Sequence, residues 1–337
     1  MASEDRAALT LPLPWHAPVL SDWLSRRQQG RLAHALLLSG PAGSGKHRLA
    51  TALAQALLCQ RDAERACGQC QGCHLAVAGT HPDMHVLTPD DGKRQVRIDQ
   101  VRELVEFASR TAQFGGYRVA LIEPAEAMNR NAQNALLKTL EEPGRDTLLI
   151  LVSDQPSLLL PTVRSRCQQQ ALPLPDPDQA RQWLTERIGD PQRAAALLGQ
   201  TGGVPLQALA LDSADWFADR TELLGQCLAV LERRSPVSVA AARLLEYEAL
   251  SVLPALATWW QQAASMTARR AEQADPALLP LFRRLRGHCD RLRLLQAAGR
   301  ARQAQRALQG GTNPNPELLL EQLLLFLAGV DDLHPAF

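Results

Sequence analysis

Two patterns of hydrophobic and polar positions divide this chain into two halves. In the first half, short apolar runs of strand length alternate with stretches in which apolar residues recur every three or four positions. The predicted strands are residues 33–40, 118–123 and 146–153. The predicted helices begin at about Gly45 and cover 97–110 and 129–144. Alternation of this kind predicts a parallel sheet that helices cover.

The second half of the chain has a helical pattern throughout. The proline-rich stretch 171–179 marks a boundary, and no run beyond it is convincing as a strand. Breaks in the helical pattern fall at 199–205, near Pro236 and at 309–317. We therefore expect an α/β plus all-α fold in three parts. Their predicted bounds are 1–169 for the α/β domain, 170–210 for a small helical unit and 211–337 for a larger all-helical domain.

Composition narrows the classes of protein to consider. The chain has 337 residues, of which 46% are hydrophobic, so two or three domains can each bury a core. Its 36 basic and 35 acidic residues give a formal net charge of +1, whereas a protein that grips nucleic acid mainly through its own surface is usually more basic. No secretory signal or membrane-spanning run is recognisable. We expect a cytoplasmic protein whose cysteines are metal ligands or free thiols.

Residues 40–47 read GPAGSGKH and match seven of the eight positions of the phosphate-binding pattern G-x-x-x-x-G-K-[S/T]. The glycines of that pattern permit a tight turn whose backbone N–H groups surround a phosphate, and the lysine adds positive charge. The residues that would do so here are Gly40, Gly43, Gly45 and Lys46. The last position should carry a hydroxyl group for magnesium, but it carries His47, whose imidazole is a poor magnesium ligand.

The residues at the end of the predicted strand 118–123 bear on whether the chain hydrolyses ATP. In ATPases of this type an acidic residue at the end of a neighbouring strand steadies the magnesium, and often a glutamate after it orients the attacking water. Glu123 can serve a metal or merely end a buried strand, but Pro124 has no group that polarises water. Glu126 is expected to point elsewhere. Positions 47 and 124 together argue against an active hydrolase.

A cysteine-rich segment at 59–73 predicts a metal site. It contains Cys59, Cys67, Cys70 and Cys73, with two C-x-x-C units that share Cys70. Four thiolates in a closed set are the signature of structural zinc. An iron–sulfur cluster of the ferredoxin kind would want a further cysteine at position 77, which is Val77. His74 could replace one cysteine as a ligand, but four sulfurs are the preferred set.

Several motifs now occur in a recognisable order. They are RLAHALLLSGPAGSGK, the four-cysteine segment, GTHPD (79–83), NALLKTLEEP (134–143) and PTVRSRC (161–167). Together they resemble the AAA+ clamp-loader family of bacterial DNA polymerase III, and within it the delta-prime subunits. The match covers roughly 15–175 strongly and is weaker in the helical remainder, where NPNPELLLE (313–321) is the best segment.

The resemblance implies an architecture and a choice between subunits. It suggests an AAA+ P-loop domain with a zinc insert, a small helical lid domain and a C-terminal helical domain that joins a five-subunit collar. NALLKTLEEP and SRC are shared with the ATP-hydrolysing gamma and tau subunits. Gamma-type subunits keep a hydroxyl after the loop lysine, an acidic pair at the strand end and an arginine in a G-x-x-R stretch. Here that stretch aligns with GVPL (203–206), which ends in Leu206.

The resemblance also implies a function. It suggests an accessory subunit that helps load the sliding clamp on primed DNA, with little or no ATP hydrolysis of its own and doubtful ATP binding. Family members with SRC use its arginine on the ATP held by the next subunit, which gives Arg166 the role of an arginine finger in trans. Arg164 is the weaker candidate. The expected partners are gamma or tau and delta, with clamp and DNA reached through the complex.

Two other functions fit parts of the sequence. An active gamma/tau-like ATPase motor would use Lys46 and Glu123, and turnover of ATP by the isolated chain would identify it. A zinc-dependent nucleic-acid-binding protein would show salt-sensitive binding of DNA. The arginine-rich segment 283–306 fits DNA contact, or a solvated or subunit-facing surface. In the preferred interpretation the chain is not catalytic alone but belongs to a DNA-directed DNA polymerase, a nucleotidyltransferase.

Overall fold

A computed structural model gives the chain as two compact units, Met1–Leu174 and Pro175–Phe337. The structure describes residues 9–61, 65–90, 92–93, 95–267, 274–309 and 314–330. Residues 62–64 of the cysteine segment and 310–313 of the break at 309–317 lie outside the described residues, as do both chain ends.

The first unit is built on a five-stranded parallel sheet with the strand order β2-β3-β4-β1-β5. Its strands are β1 Ala35–Ser39, β2 Met84–Leu87, β3 Arg118–Ile122, β4 Thr147–Ser153 and β5 Gln168–Ala171. Its helices are α1 Ala17–Gln28, α2 Lys46–Leu57, α3 Gln71–Val77, α4 Ile98–Ser109, α5 Arg130–Glu141 and α6 Pro161–Arg164. The predicted α/β fold, with a parallel sheet covered by helices, is confirmed.

Helices cover both faces of this sheet. Leu36 and Leu38 of β1 belong to a core that includes residues of α1 and α2. Ala35 and Leu37 point the other way, into a core that includes residues of α4 and α5. Because neither face meets water, the central strands are continuous apolar runs, and this is the pattern that located them in the sequence.

The two edge strands were absent from the sequence prediction. β2 reads MHVL and is only partly buried, and β5 reads QQQA with no residue fully buried. Strands of this kind lack the apolar run by which a buried strand is recognised. β5 nevertheless pairs in parallel with β1, so that Gln168 lies opposite Leu36. The first unit therefore includes the segment that follows position 169.

The described residues of the second unit contain helices and no strand, which confirms the all-α part of the fold. The helices are α7 Pro177–Ile188, α8 Pro191–Gln200, α9 Pro205–Leu211, α10 Arg220–Leu231, α11 Val237–Leu244, α12 Ala249–Ala264, α13 Leu279–His288, α14 Arg291–Gln309 and α15 Pro316–Leu327. Trp259 and Trp260 of α12 are fully buried at the centre of this unit. The division into a lid and a collar at 210/211 stays a prediction.

No single described helix is long and apolar enough to cross a membrane. The bent pair Pro191–Gln200 and Pro205–Leu211 meets the criteria of length and composition when its two helices are taken together.

Part of the arginine-rich segment 283–306 is built into the second unit. The guanidinium of Arg293 donates a hydrogen bond of 2.6 Å to the carbonyl oxygen of Phe326. The guanidinium of Arg300 stacks on the aromatic ring of Phe326, 3.7 Å from the centre of the ring. These two arginines hold α14 against α15, so the segment is not one continuous exposed basic stripe.

Candidate functional site

The phosphate loop joins β1 to α2, as the sequence predicts. Gly43 (φ 73°) and Gly45 (φ 92°) adopt the left-handed backbone conformation that favours glycine. A Cβ atom on Gly45 would lie 2.5 Å from Cδ1 of Leu13, so a side chain would also clash there. Gly40 begins the turn, directly after the end of β1.

The side chain of Lys46 is bound by oxygen atoms of its own chain. Its ammonium group donates to the carbonyl oxygens of Gly40 (2.9 Å) and Pro41 (2.8 Å) and lies 3.3 Å from Oγ of Ser44. It also pairs with Oδ1 of Asp154 at 2.6 Å, and its side chain is only 5% exposed. An ammonium group has three N–H donors, and here the protein itself supplies four oxygens. The positive charge that the pattern provides for a phosphate is thus neutralised internally.

Sequence reasoning missed Asp154, although a signal was present. Asp154 directly follows β4, and β4 is the parallel neighbour of β1. Residues after the carboxyl ends of neighbouring parallel strands meet at one edge of the sheet, where the phosphate loop also lies. An acidic residue at the end of a buried strand next to the loop was therefore a candidate partner for Lys46.

His47 and Glu123 form a pair at the same edge of the sheet. Nδ1 of His47 contacts Oε2 of Glu123, and Nε2 lies 3.5 Å from Oγ1 of Thr51. The hydrogen bond with Glu123 raises the pKa of His47 above its ordinary value, an effect larger than the lowering by burial. The carboxylate that would steady a magnesium ion is therefore held by the residue that replaced the magnesium hydroxyl.

The positions after Glu123 supply no base for water either. Pro124 has no proton acceptor on its side chain, and the peptide bond before it is cis. Oε1 of Glu126 accepts hydrogen bonds from the backbone N–H groups of Asp154 (3.0 Å) and Gln155 (3.2 Å). Glu126 thus fixes the backbone after β4.

Arg166 lies at the end of the sheet where the strands begin, whereas the phosphate loop lies at the end where the strands finish. It precedes β5 by two positions, and Gln168 of β5 pairs with Leu36 near the start of β1. The phosphate loop begins only after Ser39, at the other end of β1. A strand rises about 3.3 Å per residue, so the two positions are separated by roughly 15–20 Å along the strand direction. Arg166 therefore does not serve the phosphate loop of its own chain.

The Arg166 side chain has two partners and is 35% exposed. Nε donates to Oε1 of Glu141 at 2.7 Å, and Nη2 contacts the same oxygen. Nη1 donates to the carbonyl oxygen of Thr162 at 3.0 Å. Arg164 differs, because its Nε atom is buried without a hydrogen-bond partner among the described residues. Both arginines are half-buried, and they differ in how their Nε atoms are bonded.

The four predicted cysteine ligands come together in the first unit. Their Sγ atoms all lie within 4.8 Å of one another, and the Cys59–Cys70 and Cys67–Cys73 pairs are each 3.9 Å apart. With Zn–S bonds of about 2.3 Å, the sulfurs of a tetrahedral site are about 3.8 Å apart, so the cluster fits this metal. His74 is exposed and is not part of the cluster.

Cys70 has a special place in the cluster because it is the N-cap residue of α3. Its Sγ accepts a hydrogen bond from the backbone N–H of Cys73 at 3.4 Å. Burial raises the pKa of the Cys70 thiol, but hydrogen bonds from backbone amides and from neighbouring thiols outweigh burial and lower it to about 6. A thiolate, the form that binds metals, is thus favoured at this position.

Comparison with known proteins decides the family. The family model described as DNA polymerase III, delta subunit, matches residues 15–176, and the model of its C-terminal part matches 214–328. The DNA polymerase III subunit delta-prime of Pseudomonas aeruginosa is 46% identical over 250 residues, which cover 73% of this chain and 74% of that one. The subunit delta-prime of Escherichia coli is 36% identical over 93% of this chain and 94% of its own. The chain belongs to the delta-prime subunits of DNA polymerase III.

This delta-prime subunit is also similar to a solved structure. That structure is a gamma subunit-related protein of DNA polymerase III from Thermotoga maritima, with 16% sequence identity and a TM-score of 0.46. The aligned part covers 92% of this chain and 98% of the Thermotoga chain.

The GTHPD motif of this delta-prime subunit has a structural task. The carboxylate of Asp83 is buried and accepts hydrogen bonds from the backbone N–H groups of Gln113 (2.8 Å) and Phe114 (2.9 Å). It also pairs with the buried guanidinium of Arg118 in β3. The motif therefore anchors the turn that leads into the sheet. Leu206, at the position of the gamma-type arginine, lies partly buried in the first turn of α9 and carries no charge.

Proposed function

We propose that this delta-prime subunit is an accessory member of the clamp loader that completes the ATP site of a neighbouring subunit through Arg166. The observation that carries the proposal is the position of Arg166, which is half-buried and lies at the end of the sheet opposite the phosphate loop. A guanidinium group has a fixed, delocalised charge that suits the charge on a transferring phosphoryl group. Since Arg166 does not reach the loop of its own chain, the phosphate that we propose it serves is held by another chain.

The state of the phosphate loop supports the second part of the proposal, that the chain itself hydrolyses little or no ATP. Lys46 is paired with Asp154, and Glu123 is paired with His47. Position 124 offers no carboxylate to orient water. A gamma/tau-like motor needs all three of these groups in other arrangements. The proposed partners are therefore gamma or tau and delta, with the sliding clamp and primed DNA reached through the complex, in the cytoplasm.

The cysteine cluster supports a further part of the proposal, a resident zinc ion. Cys59, Cys67, Cys70 and Cys73 would hold it as a closed set of four thiolates, which leaves no open position for substrate. When bound, the ion would tie the end of α2 to the start of α3. Its role in this proposal is structural.

Replacement of Arg166 tests the proposed function. In a complex reconstituted from this chain, gamma or tau, and delta, Arg166→Ala should assemble normally and lower the ATP hydrolysis that clamp and primed DNA stimulate. Arginine fingers contribute about 10³–10⁵ in rate at a single site. The loss in total turnover is smaller, because other sites in the complex keep their own fingers. A complex with Arg166→Ala that hydrolyses ATP and loads clamps at the normal rate would show that Arg166 is only structural.

A further inference from the structure

The contacts of Arg166 divide its guanidinium group into a held part and an open part. The group has five N–H donors. Oε1 of Glu141 takes Nε and Nη2, and the carbonyl oxygen of Thr162 takes Nη1. Three donors are thereby used, one on each nitrogen. Within the described part of the chain, one N–H group on each terminal nitrogen is left for an external acceptor.

We infer that Glu141 is a positioning residue for the arginine finger. Its carboxylate grips the side of the guanidinium that carries Nε and Nη2, so the planar group cannot turn about the end of its side chain. The two N–H groups that remain are on the terminal nitrogens, from which a guanidinium binds two phosphate oxygens in a fork. This inference rests on the proposed function, since it assigns Glu141 a task only if Arg166 acts on a phosphoryl group.

Helix stability does not explain why an acid stands at this position. Glu141 is the last residue of α5, and a negative charge at the carboxyl end of a helix opposes the helix dipole. The Glu141 side chain is 50% exposed, and exposed ion pairs contribute little to the stability of a fold. What the pair provides is a fixed direction for a long side chain that would otherwise sample many rotamers. Fixing a catalytic group before the reaction is what accelerates the reaction.

The second contact of Arg166, with the carbonyl oxygen of Thr162, is local and restricts the direction of the side chain less than the contact with Glu141 does. Thr162 lies in α6, the single helical turn that leads to Arg166, so its carbonyl oxygen moves together with the finger. Glu141 comes from a different element, α5, whose residues Leu136 and Leu140 are buried in the core beneath the sheet. Glu141 therefore connects the finger to the rigid part of the first unit.

The test uses the complete reconstituted complex and four variants of this chain. They are Glu141→Ala, Glu141→Gln, Arg166→Ala and the double variant Glu141→Ala/Arg166→Ala. Glu142→Ala is the matched control, because Glu142 is the adjacent exposed acid and has no contact with Arg166. The measurements are complex assembly, and kcat and KM for ATP in the presence of clamp and primed DNA.

We expect Glu141→Ala to lower the rate on the order of 10-fold at the one ATP site that Arg166 serves, as a displaced catalytic group does. The kcat of the whole complex should fall by less, because the other sites keep their own fingers, and assembly and KM should be unchanged. Glu141→Gln should recover most of the rate, because its amide oxygen still accepts the hydrogen bond from Nε. The double variant should be no slower than Arg166→Ala alone. The Glu142→Ala complex should match the unmodified one.

The outcomes separate this inference from the function on which it rests. If Arg166→Ala has no effect, the proposed function is wrong and the role of Glu141 falls with it. If Arg166→Ala lowers the rate, three results would overturn the role of Glu141 alone. They are a normal rate with Glu141→Ala, a loss that adds to that of Arg166→Ala, and a Glu141→Gln variant as slow as Glu141→Ala.

Discussion

The parallel sheet has a carboxyl edge, where its strands end, and an amino edge, where its strands begin. Both edges carry charged side chains, but these side chains are bonded differently. At the carboxyl edge, a lysine, a histidine and two acids are paired with one another, as Lys46 with Asp154 and His47 with Glu123. At the amino edge, Arg166 is paired with one acid but keeps an N–H group on each terminal nitrogen without a partner among the described residues. Both edges pair their charges, but the amino edge leaves two N–H donors of its guanidinium open among the described residues.

Under the proposed function, the difference explains how a subunit with little or no ATP hydrolysis of its own could retain a catalytic group. A nucleotide site needs charges that are free to meet phosphate, metal and water, and the carboxyl edge has lost that freedom. An arginine finger needs only one guanidinium at the boundary between subunits. The two functions lie on different edges of one sheet, so loss of the first need not disturb the second.

The largest expected effect comes from replacing Arg166, the proposed arginine finger at the amino edge. Arg166→Lys should lower stimulated ATP hydrolysis by the complex nearly as much as Arg166→Ala, because a single ammonium group cannot replace the two-pronged guanidinium. Loss at the affected site should be on the order of 10³, and the loss in total hydrolysis by the complex should be smaller and close to that of Arg166→Ala. Rates of ATP hydrolysis by the reconstituted complex provide the measurement.

Lys46→Met is the companion variant at the other edge. It removes the charge of the phosphate loop and keeps the length of the side chain. Complexes with this variant should hydrolyse ATP at the normal rate, and the isolated unmodified chain should show no ATPase activity above background. Robust turnover by the isolated chain that Lys46→Met abolishes would reverse the comparison and support a gamma/tau-like motor.

A middle-sized effect is expected from the cysteine cluster, which lies between the end of α2 and the start of α3. Purified protein should contain one zinc ion per chain, and Cys70→Ser should release it. The free energy of unfolding should fall by a few kcal/mol, less than the roughly 10–16 kcal/mol of small zinc-finger peptides, because the core of the sheet does not depend on the metal. Metal analysis and thermal unfolding would measure both changes.

His74→Ala is the matched control for this prediction. His74 neighbours the ligand Cys73 but lies outside the cluster, so the variant should keep its metal. Protein that contains no zinc, or that contains iron and acid-labile sulfide, would contradict the assignment of the metal.

The sequence predicted the central strands and the cysteine cluster, but it missed the edge strands and the partners of the charged side chains. The central strands and the four cysteines carry patterns that physics imposes locally, namely continuous apolar runs and C-x-x-C spacing. β5 reads QQQA and has no such pattern; only its pairing with β1 makes it a strand. The partners Asp154 and Glu141 are likewise set by the meeting of elements distant in sequence. Charge pairs of this kind depend on which strands are neighbours in the sheet, and the sequence pattern does not show the strand order.

The smallest expected effect concerns the pair that replaces the magnesium site. Contact with Glu123 raises the pKa of His47 in the folded chain above its ordinary value of 6.5. The folded state therefore binds this proton more tightly than the unfolded state. Its contribution to stability is complete below pH 6.5 and is lost as the pH rises through the raised pKa. Because the His47 side chain is 60% exposed, solvent screens the pair and the contribution is small.

A double-mutant cycle between His47→Gln and Glu123→Gln would measure this contribution. Urea unfolding at pH 5.5 should give a favourable coupling between the two residues, and the coupling should vanish at pH 8.5. An NMR titration of the His47 ring should show a pKa above 6.5 that returns toward its ordinary value in Glu123→Gln. A ring that titrates at or below its ordinary value in the unmodified chain would show that the imidazole does not hold the carboxylate. Glu123 would then be available to a metal, and the two edges of the sheet would differ less than the pairing indicates.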